Sequence, residues 1–305
     1  MSDFTSNFWS IFVSAISILG IVYCAFLLWF SAKVKVSAHE EDGTTGHVWD
    51  EDLREMNNPL PRWWLWLFII TMVFAAVYFI AYPGLGGYAG KLGWSSAGQY
   101  EAEVAKANQE LEPLYAAFNA QTPEQLSQDP KAMAVGERLF MNNCAQCHGS
   151  DARGAKGFPN LTDGDWLHGG TTDKIKETIT KGRMGVMPPM AAAVGSADDV
   201  RNLAQYVLSL SGSAHDSDKA ALGKEKFAAC AACHGPDGKG MQVVGAPNLT
   251  DKTWLHGAGV ESTVVEMVNN GKMNQMPAQE DRLTPSQIHV LTAYVWGLSN
   301  KAVAK

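Results

Sequence analysis

The sequence predicts a mainly α chain, with two N-terminal transmembrane helices followed by two tandem copies of one small helical domain. Three observations carry that expectation. Residues 8–30 and 63–82 are long apolar runs without a charged residue. A block of about 88 residues is written twice in the remainder, and each copy holds one C-x-x-C-H string.

The apolar runs come first. At 1.5 Å per residue, about 20 helical residues cross a hydrocarbon core of roughly 30 Å. Phe8, Trp9, Trp29 and Phe30 flank the first run; Trp63, Trp64, Trp66 and Tyr82 flank the second. Aromatic rings gather in this way at membrane interfaces. No Lys or Arg precedes the first run, which is also longer than the apolar stretch of a cleaved leader, so a retained span is expected. Lys33, Lys35, Arg54 and Arg62 lie between the runs, and outside them only Lys91 lies near a membrane end. The positive-inside rule then makes 32–62 a cytoplasmic loop, with 1–31 and 63–82 as spans and both termini periplasmic. Glu40, Glu41, Asp42, Asp50, Glu51, Asp52 and Glu55 in that loop count little in the rule. Pro83-Gly84-Leu85-Gly86-Gly87 ends the second helix. A periplasmic linker, 83–129, follows, with a helix from about Gln99 bearing Tyr100, Val104, Leu111, Leu114 and Phe118.

The repeat defines two domains, 130–210 and 218–300. Gly136 and Phe140, CAQCH, PNLT (159–162), WLHGG (166–170), KGRMGVMP (181–188) and Leu203 with Tyr206 form the first copy. Gly223 and Phe227, CAACH, PNLT (247–250), WLHGA (254–258), NGKMNQMP (270–277) and Leu291 with Tyr294 form the second. Asp129 followed by Pro130 reads as a helix cap, and Thr284-Pro285-Ser286-Gln287 as another. Tyr206 and Tyr294 are expected to pack on the first helix of their domains.

C-x-x-C-H is the attachment signature of c-type haem. Two thiols three positions apart form thioethers to the two vinyl groups, and the next imidazole is held against the iron. Cys144, Cys147 and His148 therefore form one covalent haem c site, and Cys230, Cys233 and His234 the other. Zinc would need further ligands at matching spacing, and a thioredoxin-like pair a βαβ context; neither is visible. Class I cytochrome c domains are the fold these motifs imply. Met187-Pro188 and Met276-Pro277 offer soft sixth ligands some 40 residues later. Met184, Met273 and Met190 are their rivals. His168 and His256, in the Trp-Leu-His-Gly segments, fit a structural or propionate-contacting role better than ligation, and Trp166 and Trp254 read as pocket walls. His39, His47, His215 and His289 belong to no constellation. Cys24, inside the first run, reads as a small buried hydrophobe. Ligation within each repeat is the default expectation, although a tandem repeat permits exchange of the methionines.

The net charge of −7 argues against nucleic acid as a partner and allows an acidic surface for a basic one. No carboxylate pair, Ser-His-Asp set or phosphate loop is visible, so the chain has no catalytic site of its own beyond the haems.

The segment NNPLPRWWLWLF (57–68), continuing to YPGLG (82–86) and followed by two C-x-x-C-H domains, resembles the dihaem subunit (CcoP or FixP, subunit III) of cbb(3)-type cytochrome c oxidases. The likeness runs from about Gly43 to the C-terminus; an extra span at 8–30 departs from the many members with one anchor. It implies a bacterial inner-membrane electron relay in a complex that reduces oxygen and pumps protons. The donor would be a cytochrome c or the quinol–cytochrome c reductase, and the acceptors a monohaem subunit and then the haem–copper subunit. By the same resemblance His148, His234, Met187 and Met276 are the iron ligands. A relay in another membrane redox complex, a dihaem peroxidase and a gas sensor are the alternatives. The last two require an open iron.

Overall fold

The computed structural model describes residues 6–33, 43–56 and 60–300. Lys35, His39, Glu40, Glu41, Asp42 and the Asn57-Asn58-Pro59 start of the quoted motif lie outside the described residues. The chain divides into two compact units, 1–110 and 111–305.

In the first unit, α1 (Asn7–Lys33) and α2 (Arg62–Ala81) are the two apolar helices. Protein buries none of the residues of α2, so its Trp, Phe and Ile side chains need another apolar surround, which a bilayer provides. Between the helices, β1 (Thr44–Trp49) and β2 (Leu53–Met56) pair antiparallel across a bulge. The alternation in Thr-Thr-Gly-His-Val-Trp is too weak to announce this hairpin. After α2 the chain folds back, with Lys91 N–H donating to Ile80 O at 2.9 Å and Leu92 N–H to Ala81 O at 3.0 Å. Gly90 makes that turn possible: its φ is +74°, and a Cβ there would stand 2.5 Å from Ala81 O. Ser10 Oγ, near the start of α1, accepts from Gly87 N–H at 3.0 Å, so the start of α1 meets the turn after α2 and the helices run antiparallel.

Helix α3 (Ser96–Asn119) leads toward the second unit, where α4 (Pro123–Leu126) and α5 (Pro130–Asn143) follow. Asp129 caps α5 as its sequence suggests, accepting from Lys131 N–H at 2.8 Å. Next come α6 (Ala145–His148), α7 (Thr172–Lys181), β3 (Arg183–Met187), α8 (Ala191–Val194) and α9 (Ala197–Leu210). The second copy supplies α10 (Ser217–Gly223), a 3-10 turn at Glu225–Ala229, α11 (Ala231–His234), α12 (Glu261–Asn270), β4 (Lys272–Met276) and α13 (Pro285–Asn300). Thr284 and Gln287 bond reciprocally at the start of α13, the expected capping box.

The helices of the two copies pack crosswise. The last helix of the second copy, α13, lies against α5 and α7 of the first, while α9 of the first lies against α10 and α12 of the second. Tyr294 therefore meets Phe140 (ring centres 5.6 Å apart) and Tyr206 meets Phe227 (5.4 Å). Tyr294 packs on the first helix of the other copy, and Tyr206 on the 3-10 turn that follows the first helix of the other copy. Strands β3 and β4 join antiparallel, with Arg183 opposite Met276, Gly185 opposite Asn274 and Met187 opposite Lys272. Phe140 and Leu291 are fully buried in one cluster, and Leu203 in another. Each such side chain contributes roughly 1.5–3 kcal/mol by leaving water.

Two candidate haem sites built across the repeats

Each C-x-x-C-H string forms one tight helical turn. Cys144 opens α6, and Gly149, with φ +79°, closes it; Cys230 and Gly235 (φ +78°) do the same for α11. The imidazoles at the ends of these turns are buried and fixed through one nitrogen. His148 Nδ1–H donates to Pro159 O at 2.9 Å, and His234 Nδ1–H to Pro247 O at 3.0 Å. Nε2 of each ring is thereby left with its lone pair, the nitrogen that could ligate a metal. Burial lowers the pKa of both histidines against the raising effect of the carbonyl, which favours the neutral ligand form.

The repeated PNLT string supplies those carbonyls, a role its repetition hinted at without defining. Asn160 Oδ1 accepts from Thr162 N–H at 2.9 Å and Oγ1–H at 2.8 Å; Asn248 holds Thr250 in the same way at 3.0 and 2.8 Å. The loop is closed onto the histidine turn by Gly154 N–H to His148 O and Gly240 N–H to His234 O.

Cys147 and Cys233 are exposed, and Cys144 and Cys230 are half-buried. Burial first, and then Cys147, pushes the Cys144 thiol up to about 11; Cys230 is raised by burial and by Cys233. A redox-exchanging C-x-x-C pair needs the opposite shift, toward thiolate. Among the described residues no three of His, Cys, Asp and Glu converge as a metal-ion site.

The methionines join the clusters crosswise. Met276, with Trp166, Leu161, Leu283 and Tyr294, belongs to the cluster around Cys144, Ile175 and Ile179. Met187 and Met190, with Trp254, Leu249 and Tyr206, belong to that around Cys230, Val264 and Val268. Their rivals Met184 (62% exposed) and Met273 (71%) point outward from the ribbon. His256 Nε2 accepts from the Asn274 amide at 2.8 Å, and the His168 ring lies against Gly245 of the other repeat. Further bonds tie the repeats beside these rings: Gly157 N–H to Leu255 O at 2.7 Å and Thr253 Oγ1–H to Asp165 Oδ2 at 2.6 Å.

The donor set fits haem c: two thiols three positions apart, an imidazole aimed by its far nitrogen, and a thioether in the same apolar cluster. Gln279 Oε1, three residues beyond Met276, is buried and lacks a hydrogen-bond donor.

Comparison with known proteins agrees. The model for the N-terminal domain of cytochrome oxidase-cbb3, FixP, matches residues 41–89. The model for cytochrome c oxidase, cbb3-type, subunit III, matches twice, over 131–207 and 218–295. The chain is 62% identical over 299 residues to the cbb3-type cytochrome c oxidase subunit CcoP of Rubrivivax gelatinosus, covering 98% of this chain and 97% of the other. It is 44% identical to the FixP subunit of Azorhizobium caulinodans (83% and 91% covered) and 40% identical to the CcoP subunit of Cereibacter sphaeroides (85% and 95%).

Proposed function

Because the chain belongs to the family of cbb3-type cytochrome c oxidase subunit III, we propose that it relays single electrons through two covalently held haems whose sixth ligands are exchanged between its repeats. The protein is a membrane-anchored cytochrome c subunit of such an oxidase, and its role is electron transfer. Cys144, Cys147 and His148 would hold one haem, and Cys230, Cys233 and His234 the other. Met276 completes the first site and Met187 the second. Bound haem supplies reversible one-electron chemistry.

One observation carries the exchanged assignment: Met276 shares its apolar cluster with Cys144, and Met187 shares its cluster with Cys230. Held by His148 and Met276, or by His234 and Met187, a bound haem would supply electron transfer with no position open to oxygen or peroxide. The protein's own work is to fix these ligands and exclude water from the ring faces. The haem domains and both termini face the periplasm, with 32–62 in the cytoplasm. The donor is a cytochrome c or the quinol–cytochrome c reductase, and the acceptors are the monohaem subunit and then the haem–copper subunit.

The test uses Met276→His and Met187→His in chains where Cys230 and Cys233, or Cys144 and Cys147, are replaced by alanine to leave one haem. With only the Cys144/Cys147 haem present, Met276→His should abolish the near-infrared sulfur-to-iron band and lower the potential, while Met187→His should leave both unchanged. The reverse pattern would show ligation within each repeat. Ready carbon monoxide binding by both reduced irons of the intact chain would remove the relay reading itself.

A further inference from the structure

Each Met-Pro peptide rests on a glycine of the other repeat. Gly182, which ends α7, has φ 69° and ψ −175°; Gly271, which ends α12, has φ 68° and ψ −175°. This backbone region is essentially closed to residues with a Cβ. The space around the two glycines is equally restrictive. A Cβ on Gly182 would stand 2.3 Å from Met276 O, 2.7 Å from Ala278 N and 2.8 Å from Pro277 C. A Cβ on Gly271 would stand 2.5 Å from Met187 O, 2.8 Å from Pro189 N and 2.9 Å from Pro188 C. The obstructing atoms are backbone on both sides, so no side chain can swing away.

The peptides are also stitched down just beyond each methionine. Gln279 N–H donates to Ile179 O (3.1 Å) and Thr180 O (3.2 Å), the terminal carbonyls of α7, and Met190 N–H donates to Val268 O (2.8 Å) at the end of α12. Each methionine thus hangs between the β3–β4 ribbon and a helix end of the opposite repeat, with a glycine as the floor.

We infer that Gly182 and Gly271 are positioning residues for the iron–sulfur bonds, Gly182 setting the height of Met276 and Gly271 that of Met187. The inference rests on Met276 and Met187 being the sixth ligands. A methyl group at either glycine lifts the Met-Pro peptide and moves the sulfur from its iron, while the cysteines and histidine of that site, on other elements, keep their places. The consequence is selective. One substitution changes the axial bond of one haem and leaves the other haem intact, although both methionines share one ribbon.

The experiment reads the near-infrared and magnetic circular dichroism bands of sulfur-ligated ferric haem in the purified full-length chain, freed of the other haem-bearing subunits, with covalent haem content confirming that both haems are attached. Gly182→Ala should remove half of the band, the half that Met276→His removes; adding Gly182→Ala to Met276→His should remove nothing more, and adding it to Met187→His should remove all of it. Gly271→Ala should give the mirror result. Gly212, which has φ +67° but open space where its Cβ would stand, provides the strain control, and Gly212→Ala should keep the full band. If Gly182→Ala does not accumulate with both haems, Pro277→Gly loosens the same peptide from its other side and should weaken only the Met276 half. Full amplitude in the glycine variants, or loss of the half belonging to the wrong methionine, would overturn the inference. If the Met276 half is traced to the Cys230/Cys233 haem, the exchanged ligation falls while the glycine assignment stands.

Discussion

Two other glycines decide how closely the crossed helices approach. Gly136 lies within α5, where a Cβ would meet Tyr294 Cβ at 2.7 Å; Gly223 ends α10, where a Cβ would meet Asn202 O at 2.0 Å and its carbonyl carbon at 2.3 Å. Helix propensity alone favours alanine over glycine by about 0.8–1 kcal/mol. Overpacking opposes it by about 1–3 kcal/mol, and more where the obstacle is backbone that cannot rotate away. The clash wins at Gly223, because α9 must move as a body to admit the methyl group. Gly223→Ala should therefore lower stability by about 2 kcal/mol, and Gly136→Ala by less, since its Cβ would overlap Tyr294 Cβ (2.7 Å) less deeply than that of Gly223 overlaps Asn202 O (2.0 Å). Thermal unfolding of the two variants checks both the sign and the order. A Gly223→Ala protein more stable than its parent would mean that α10 does not seat on α9.

Between elements, the crossing is held by burial and also by an ion pair. Lys226 Nζ, from the 3-10 turn of the second copy, lies 2.9 Å from Asp199 Oδ1 at the start of α9 in the first. The Lys226 hydrogen bond, followed by those from Ser196, holds the Asp199 carboxyl at about 2. An ordinary aspartate titrates at about 3.9, so the stabilisation is complete above that value and is lost as pH falls toward 2. Asp199→Asn should accordingly melt below wild type at neutral pH, and the difference should close as the pH is taken from about 4 down to 2. A difference of constant width over that range would deny the carboxylate a part in joining the copies. This level of structure was only partly legible in the residues. The spans, the caps at Asp129 and Thr284, and the C-x-x-C-H and Met-Pro strings are local chemistry and read directly. The crossing does not read, because both copies carry the same marks: Gly136 and Phe140 would suit α9 as well as α13, and Gly223 and Phe227 likewise. The β3–β4 ribbon stayed hidden for another reason. Met184, Val186 and Met273 put apolar side chains on its outward face, which erases the alternation that announces a strand.

For the whole molecule the crossing means that neither repeat is a folding unit. A chain cut after Ser213 would keep α5, α7 and α9 but lose α13, α10 and α12, the helices against which they lie. Phe140, Val200, Leu203 and Leu208, all nearly or fully buried, would lose their cover. At roughly 1.5–3 kcal/mol for each side chain, four such exposures are comparable to the 5–15 kcal/mol by which a domain is stable. The truncated chain is expected to attach haem at Cys144 and Cys147 yet remain protease-sensitive, without the sulfur-to-iron band, since Met276 has gone with the second copy. Independent folding of each repeat makes the opposite forecast: a protease-resistant, methionine-ligated single-haem protein from residues 1–213. Limited proteolysis and the near-infrared spectrum of that truncation decide between the two. Supplying residues 214–305 as a separate chain sharpens the decision, because only crossed helices allow the second fragment to restore the sulfur ligand to the haem of the first.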